Sequence, residues 1–338
     1  MHYLVTGHTG FKGSWLTLML KGRGHTVSGL ALDPIPGALF ERARLSELVE
    51  NDLRLDIRDA VATAQAILAV SPDVVIHMAA QPLVRESYRA PRETFETNVM
   101  GTLNVIEGVS RTESVKAHVV VTTDKVYLNV DQEAGYVETD ALGAGDPYST
   151  SKAMADLLVQ SWVTSFPGAP TAIARAGNVI GGGDICEGRL LPDLINAFDA
   201  GQSPRLRYPA AVRPWQHVLD CLNGYLMLTD ALLAGTARGA WNFGPGRDSF
   251  VDVAHVADRV ASHFGDGAAW VTDDGENPHE AGLLALDATK AENDLGWHNR
   301  LSFTESIEWT VTWEKETRAG KDPRAATNEQ IAAFERRS

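Results

Sequence analysis

The segment Gly7-His8-Thr9-Gly10-Phe11-Lys12-Gly13 constrains the fold of this chain more than any other. It follows an apolar run, His2–Thr6, and opens a helical pattern. Phe11, Trp15, Leu18 and Met19 share one face of that helix, which ends near Gly22 and Gly24. Glycines at this spacing let the chain turn tightly, bring its backbone close to a pyrophosphate and seat the helix on a sheet. The helix N-terminus then faces the phosphate charge. Three glycines in a loop are common by chance, so the strand–turn–helix setting carries the weight. An acid, Asp33, stands 20 residues beyond Gly13, at the end of the second strand candidate. A carboxylate there accepts hydrogen bonds from ribose hydroxyls and repels a 2′-phosphate, so NAD is expected over NADP. The bland alternative is a turn acid beside Pro34.

The first half of the chain repeats this alternation. His2–Thr6, Val27–Leu32, Leu53–Asp56, Val74–Met78, His118–Thr122 and Thr171–Arg175 are rich in Val, Ile and Leu on both faces, as strands covered by helices on two sides are. Helical stretches at Ala60–Val70 and Pro91–Ser110 lie between them. The pattern predicts an α/β fold, a doubly wound parallel sheet of the Rossmann type. After Gly181–Gly183 strands become sparse, and Pro, Arg and aromatic residues cluster between Leu190 and Trp215. Helices are expected at Val218–Leu233, Val251–Phe264 and Phe303–Thr317, with a charged tail from Ala319 that caps the surface or frays. Residues 1–180 are read as the NAD-binding domain. Residues 181–338 are read mainly as a smaller α/β substrate subdomain, with a soft boundary because the chain crosses back.

Composition removes several classes. With 30 Lys+Arg against 44 Asp+Glu the formal charge is −14, which repels phosphate backbones and argues against nucleic acid as a partner. Cys186 and Cys221 form no CxxC pair, so neither a disulfide framework nor a thiolate zinc site is expected. No metal is expected. No apolar stretch approaches the roughly 18 residues of a membrane span. Met1 runs straight into a strand-like segment without a signal-peptide pattern, so the expected compartment is the cytoplasm.

Other residues fall at carboxyl ends of strands, where open α/β sheets bind ligands. Asp56 and Ile57 end the third strand and suit an adenine; Ala79 and Ala80 end the fourth and let backbone lie along a cofactor. Tyr148 and Lys152 lie four apart on one face of a helix started by Pro147. A tyrosine is a poor base at neutral pH unless a nearby cation favours its phenolate, and Lys152 and a positive nicotinamide ring are together placed to do that. The fifth strand ends Thr122-Thr123-Asp124-Lys125. Thr123 can hydrogen-bond the hydroxyl that Tyr148 deprotonates, with Asp124 and Lys125 at the mouth. The plain alternative is an exposed ion pair at a strand end.

Glycine loop, Tyr148/Lys152 and strand-end threonine together resemble the extended short-chain dehydrogenase/reductase superfamily. The stretches Val5–Trp15, Met78–Tyr88, Thr97–Thr102, Val121–Tyr127, Asp146–Lys152, Ala174–Asp184 and Arg213–Asp220 narrow the resemblance to the CDP-glucose 4,6-dehydratase family. The triplet Thr123-Asp124-Lys125 matters most, since related dTDP-glucose enzymes have Asp-Glu after the threonine. The resemblance implies bound NAD, held by Gly7, Thr9, Gly10, Phe11, Lys12, Gly13, Asp33, Asp56, Ile57, Ala79, Ala80, Asn98, Thr122, Tyr148, Lys152 and Ala176. It implies a nucleotide-sugar substrate held by Gln81, Arg85, Thr123, Asn178, Leu190, Leu191, Arg207 and Arg213. It implies an internal redox cycle: oxidation at C4 with Tyr148 as base, loss of water across C5 and C6, and hydride return to C6. Asp124 is the expected general acid, and Lys125 either deprotonates C5 or stays charged and stabilises the enolate. Ile185, Gly188 and Asn129-Val130 depart from the family pattern and bear on the nucleobase and sugar. A 4-epimerase, in which Asp124 would be idle, and a non-catalytic NAD sensor or scaffold are the rival readings. A homodimer is expected through the helices at Pro91–Ser110 and Tyr148–Phe166, with Ala153 and Leu157 at the interface and a tetramer left open. His8, His77 and His217 are expected to be structural.

Overall fold

The structure is a computed structural model that describes residues 1–337 except Glu133, Ala144, Asp266, Asp274 and residues 276–283. Its strands are β1 (His2–Thr6), β2 (Thr26–Ala31), β3 (Asp52–Arg54), β4 (Val74–His77), β5 (Ala117–Val121), β6 (Thr171–Ala176), β7 (Asn178–Ile180), β8 (Arg205–Leu206), β9 (Val212–His217), β10 (Gly239–Phe243), β11 (Phe250–Asp252) and β12 (Val271–Thr272). Seven of them form one sheet in the order β10-β6-β5-β4-β1-β2-β3, and every neighbouring pair is parallel. β4 and β5 are buried along their whole length, which is why both faces read as Val, Ile and His rather than alternating with polar residues. The strand order reverses direction between β1 and β4. The crossovers therefore part there, and a crevice opens at the carboxyl ends of those strands.

The helix Phe11–Gly22 presses Trp15, Leu16, Met19 and Leu20 into the largest core cluster. That cluster also takes in residues far along the chain, among them Leu219, Leu222, Tyr225, Phe243, Trp297, Trp313 and Phe334. After residue 181 the chain thus returns to the first lobe: helix Val218–Leu233 packs on β5 and β6, and β10 extends the sheet beyond β6. The second lobe has its own core of Ile180, Leu191, Leu194, Ile195, Phe198, Trp215, Val256, Val260, Ile307 and Val311. Beside it lies a three-stranded sheet, β11-β9-β7, antiparallel on one side of β9 and parallel on the other.

Several local expectations change. The stretch Val251–Phe264 is not one helix: β11 pairs with β9, and Asp252 then caps a helix that begins only at Val253. Pro91–Ser110 is continuous, but Glu96–Met100 is wound as a π-helix between two α-helical parts. Leu190-Leu191-Pro192 opens helix Leu190–Asp199. The tail does not fray: Asp322 caps helix Pro323–Glu335, which buries Ile331 and Phe334 in the main core. No helix among the described residues is long and apolar enough to cross a membrane. Among them, no group of three or more His, Cys, Asp or Glu could hold a metal ion.

Candidate active site

The crevice is built first from the glycine loop. Gly7 has φ +78°, in the left-handed region, and a Cβ there would lie 2.9 Å from the backbone nitrogen of Ala79. A Cβ on Gly13 would lie 2.2 Å from the carbonyl oxygen of Gly7, so the helix can pack against its own loop only with glycine here. Gly10 stands at the N-cap of helix Phe11–Gly22 without side-chain capping, and no acidic residue occupies the first turn. The N-terminal end of this helix is left with its positive dipole and free N–H groups, which suits a diphosphate. Thr6 tethers β1 to β4: its Oγ1 accepts from the Met78 and Ala79 N–H groups and pairs with His77 Nδ1 at 2.7 Å. Asp33 is exposed just beyond β2, within 4.0 Å of Arg54. Thr9 donates to the Leu32 carbonyl, and Asp56 is clamped by Arg58 beside the buried Ile57. Glycine cradle, small Ala79 and Ala80 and a strand-end acid fit a dinucleotide with a free ribose. The three histidines are structural. His8 meets Asp52, His77 sits between Thr6 and Thr102, and His217 caps helix Val218–Leu233.

The catalytic candidates meet at the end of β5. Pro147 at the first helical position and Asp146 at the N-cap start helix Pro147–Ser165, which places Tyr148 and Lys152 on its buried side. The Lys152 Nζ donates to the Val121 carbonyl at 3.1 Å, at the carboxyl end of β5. Burial, then the charge of Lys12, lowers the Lys152 ammonium to about 8. Lys12 itself donates to the Tyr225 hydroxyl at 3.1 Å. Tyr148 lies beside Thr123, and burial pushes its phenol up to about 12. The Thr123 hydroxyl and the charge of Arg189 act the other way but do not overcome burial. The protein groups alone therefore do not favour the phenolate, and the positive ring expected beside Lys152 would have to act with them.

Thr123 Oγ1 donates to Asp124 Oδ1 at 2.9 Å and accepts from the Lys125 N–H at 3.4 Å. Asp124 is 4% exposed, not a solvated strand-end acid, and burial raises its carboxyl above the ordinary aspartate range. Lys125, Thr123 and Arg213 oppose that rise. Lys125 is half-buried. A Cβ on Gly177, between β6 and β7, would lie 2.8 Å from Asp124 Oδ2, so a glycine makes the space that the carboxyl occupies.

The remaining candidates surround this centre unevenly. Asn98, in the π-helical segment, accepts from the Gln81 N–H and donates to the Gln81 carbonyl and to Ser151 Oγ. It thereby ties the loop after β4 to the helix that carries Tyr148. Thr122 donates to Asp156, and Ala176 is buried at the end of β6. Arg213, on β9, bonds the Val212 carbonyl and acts on Asp124 by charge. Arg85 and Arg207 act on Asp193 by charge, and Asn178 starts β7 beside Trp215. Leu190 is half-buried at its helix start, and Leu191 turns into the second core.

Two groups escaped the sequence reading. Arg189, paired with Asp184 at 2.8 Å, brings its charge to Tyr148. Beneath β5 and β6, Arg175 and Asp156 form a fully buried bidentate pair, both bonds 2.8 Å. Their bond crosses 19 residues of chain, and no local pattern announces it.

A model of the NAD dependent epimerase/dehydratase family matches residues 3–244. The chain is 42% identical to a CDP-glucose 4,6-dehydratase of Salmonella typhimurium, over 98% of this chain and 95% of that one. It is 30% identical to a probable dTDP-glucose 4,6-dehydratase of Sinorhizobium fredii, over 93% of this chain and 92% of that one. Its fold is similar to that of DesIV, a dTDP-glucose 4,6-dehydratase from Streptomyces venezuelae solved with NAD and TYD bound. The TM-score is 0.81 at 26% identity, over 96% of this chain and 100% of that one.

Proposed function

Since the chain belongs to the NAD dependent epimerase/dehydratase family, we propose that it is an NAD-dependent hydro-lyase acting on a nucleotide-activated hexose, CDP-D-glucose, to give CDP-4-keto-6-deoxy-D-glucose. NAD, held at the loop Gly7–Gly13 and by Asp33, would supply a reversible hydride acceptor. The protein groups do the rest. Tyr148, as phenolate, takes the C4 hydroxyl proton while Thr123 orients that hydroxyl. The C4 ketone acidifies the C5 hydrogen, which Lys125 removes or whose enolate it stabilises. Asp124 protonates the departing C6 hydroxyl. Lys152 holds the end of β5 and contributes positive charge beside Tyr148. Arg213, Arg207, Arg85, Gln81, Asn178 and the Leu190–Leu191 segment bind the sugar nucleotide; planar guanidinium forks suit its diphosphate.

One observation favours dehydration over 4-epimerisation. Asp124 is buried and held above its ordinary pKa, in contact with Thr123 next to Tyr148. An epimerase has no use for a proton donor there. Incubation with CDP-, dTDP-, GDP- and UDP-glucose, followed by mass detection, tests the reading. Loss of one water from the CDP sugar is expected; a product of unchanged mass would favour the epimerase. NAD held tightly without turnover of any of the four would favour the sensor.

The protein acts in the cytoplasm as a homodimer. Met100, Met154 and Leu157 are exposed on the two helices expected at the interface. Arg92, Phe95, Glu96, Val99, Met100 and Met154 line a mostly apolar hollow of about 350 Å³ there. A second copy of the same face, meeting it about a two-fold axis, would cover these side chains. Ala153 faces inward, packed with Tyr127, Tyr136 and Leu284, and has no part in that surface. Leu157→Asp is expected to give monomers by light scattering; an unchanged mass would exclude this face.

A further inference from the structure

The edge of the cofactor crevice beyond β2 holds a cation as well as an acid. In the parallel pair β2–β3, Arg54 stands across from Ala31, two residues before Asp33. Three contacts fix its guanidinium. Nη1 donates to the Leu32 carbonyl at 3.2 Å, Nη2 donates to Asp52 Oδ2 at 2.7 Å, and the central carbon lies over the Phe40 ring, 4.9 Å from its centroid. The first two partners are themselves tied to the glycine loop. The Leu32 carbonyl also accepts from Thr9 Oγ1 at 3.1 Å, and Asp52 Oδ1 meets His8 Nε2 at 2.8 Å. His8 has room beside β2 because residue 29 is glycine; a Cβ there would lie 2.1 Å from the imidazole ring.

Asp33 takes no part in this scaffold. Its side chain is 88% exposed against 29% for Arg54, and its Oδ1 lies 4.0 Å from Arg54 Nε, too far for a hydrogen bond. The contact is one of charge only, and it leaves the carboxylate free to turn to ribose hydroxyls. The guanidinium, by contrast, stays where it is whether or not Asp33 is present. It has five N–H donors and spends one on Leu32 and one on Asp52.

We propose that Arg54 is a preformed site for the 2′-phosphate of NADP that Asp33 keeps closed, so that a single carboxylate makes this chain choose NAD. The inference rests on the reading of Asp33 as the acid that meets the ribose. A 2′-phosphate arriving there meets Asp33 first, like charge against like. Without Asp33 it meets a planar, oriented fork of N–H donors, which suits phosphate oxygens. Asp52 shares the charge of Arg54, so the attraction is partial.

The test reads binding, not turnover. Full-length enzyme is equilibrated with radiolabelled NAD, which is displaced by unlabelled NAD or NADP. A second series uses 5′-AMP and adenosine 2′,5′-bisphosphate, which differ only by the phosphate. Each variant is scored by the ratio of the two affinities, so a general weakening from lost packing cancels. Asp33→Ser is expected to bind NADP roughly tenfold or more tightly than the wild type does, and to shift both ratios toward the phosphorylated ligand. Asp33→Ser/Arg54→Gln should lose that shift, and Asp33→Ser/Arg54→Lys should keep part of it. A shift that survives in Asp33→Ser/Arg54→Gln puts the phosphate on other groups and overturns the proposal. So does an Asp33→Ser protein that loses affinity for NAD and gains none for NADP, which would leave Asp33 as the ribose acid with no arginine site behind it. Unchanged affinity for both nucleotides in Asp33→Ser would take Asp33 away from the ribose, and the proposal with it.

Discussion

Replacing Asp156 tests how the buried ion pair supports the end of β5, where the catalytic candidates meet. Asp156 is 0% exposed and Arg175 1%, by side chain, and two bonds of 2.8 Å join them. The carboxylate also accepts from Thr122 Oγ1 at 3.1 Å, beside Thr123, and from Gln160. Arg175 reaches further, to the Tyr127 hydroxyl at 2.8 Å, and Tyr127 in turn donates to Asn242. Asp156→Leu leaves a guanidinium buried with no countercharge, which costs about 3–5 kcal/mol. For a chain of this length roughly 2–3 °C of melting temperature is lost per kcal/mol, so a fall of about 6–15 °C is expected. Removing both charges in Asp156→Leu/Arg175→Met should recover most of that loss, because no unpaired charge remains. Urea unfolding of the wild type, both single variants and the double variant supplies the cycle. Additive losses, or a single-variant loss below about 1 kcal/mol, would refute the claim that the pair acts as one unit.

Gly177→Ala would push a methyl group within 2.8 Å of Asp124 Oδ2 and 3.5 Å of Pro214 Cγ. Turnover is expected to fall at least tenfold, with about 1–3 kcal/mol of lost stability; unchanged turnover would show that Asp124 has slack. Lys152 makes stability depend on pH. Its ammonium falls from 10.5 in the unfolded chain to about 8 in the fold. Between those values the unfolded chain binds the extra proton, so stability rises with pH. The gain between pH 8 and 10.5 should be at most about 3 kcal/mol, and Lys152→Met should lack it. Equal pH slopes in denaturant titrations of the two proteins would contradict the shift.

Much of this architecture was legible because burial on two faces writes itself into sequence. β1, the helices Phe11–Gly22, Ala60–Val70 and Val218–Leu233, and the loop between β1 and the first helix are continuous apolar or periodic segments. The short strands β7, β9 and β10 were not foreseen. β9 carries Arg, Pro, Trp, Gln and His, and its identity as a strand comes from pairing on both sides with β7 and β11. Val251–Phe264 misled because its helical periodicity is real from Val253 onward, while only the partner strand reveals the first residues as β11. The π-helical segment at Glu96–Met100 has no local signature; it serves the placement of Asn98 against Gln81 and Ser151. At the site, spacing foretold the partners Tyr148 and Lys152, because four residues make one helical turn. The closeness of Thr123, Asp124 and Tyr148 depended on where helix Pro147–Ser165 crosses the end of β5, and the pull of Arg189 on Tyr148 on where the second lobe folds back. Neither crossing is a local property of the chain.

The seventh strand of the main sheet has a consequence for how the molecule is made. β10 is synthesised after almost the whole stretch that includes β7, β8 and β9, yet it is the strand that covers the flank of β6. A nascent chain that has emerged only as far as residue 180 holds a dinucleotide crevice with an unpaired, apolar border on one side. Such a border invites association with other chains until about sixty further residues appear. Birth of this enzyme on the ribosome therefore passes through an interval in which the piece that looks self-sufficient is the piece in most need of a chaperone.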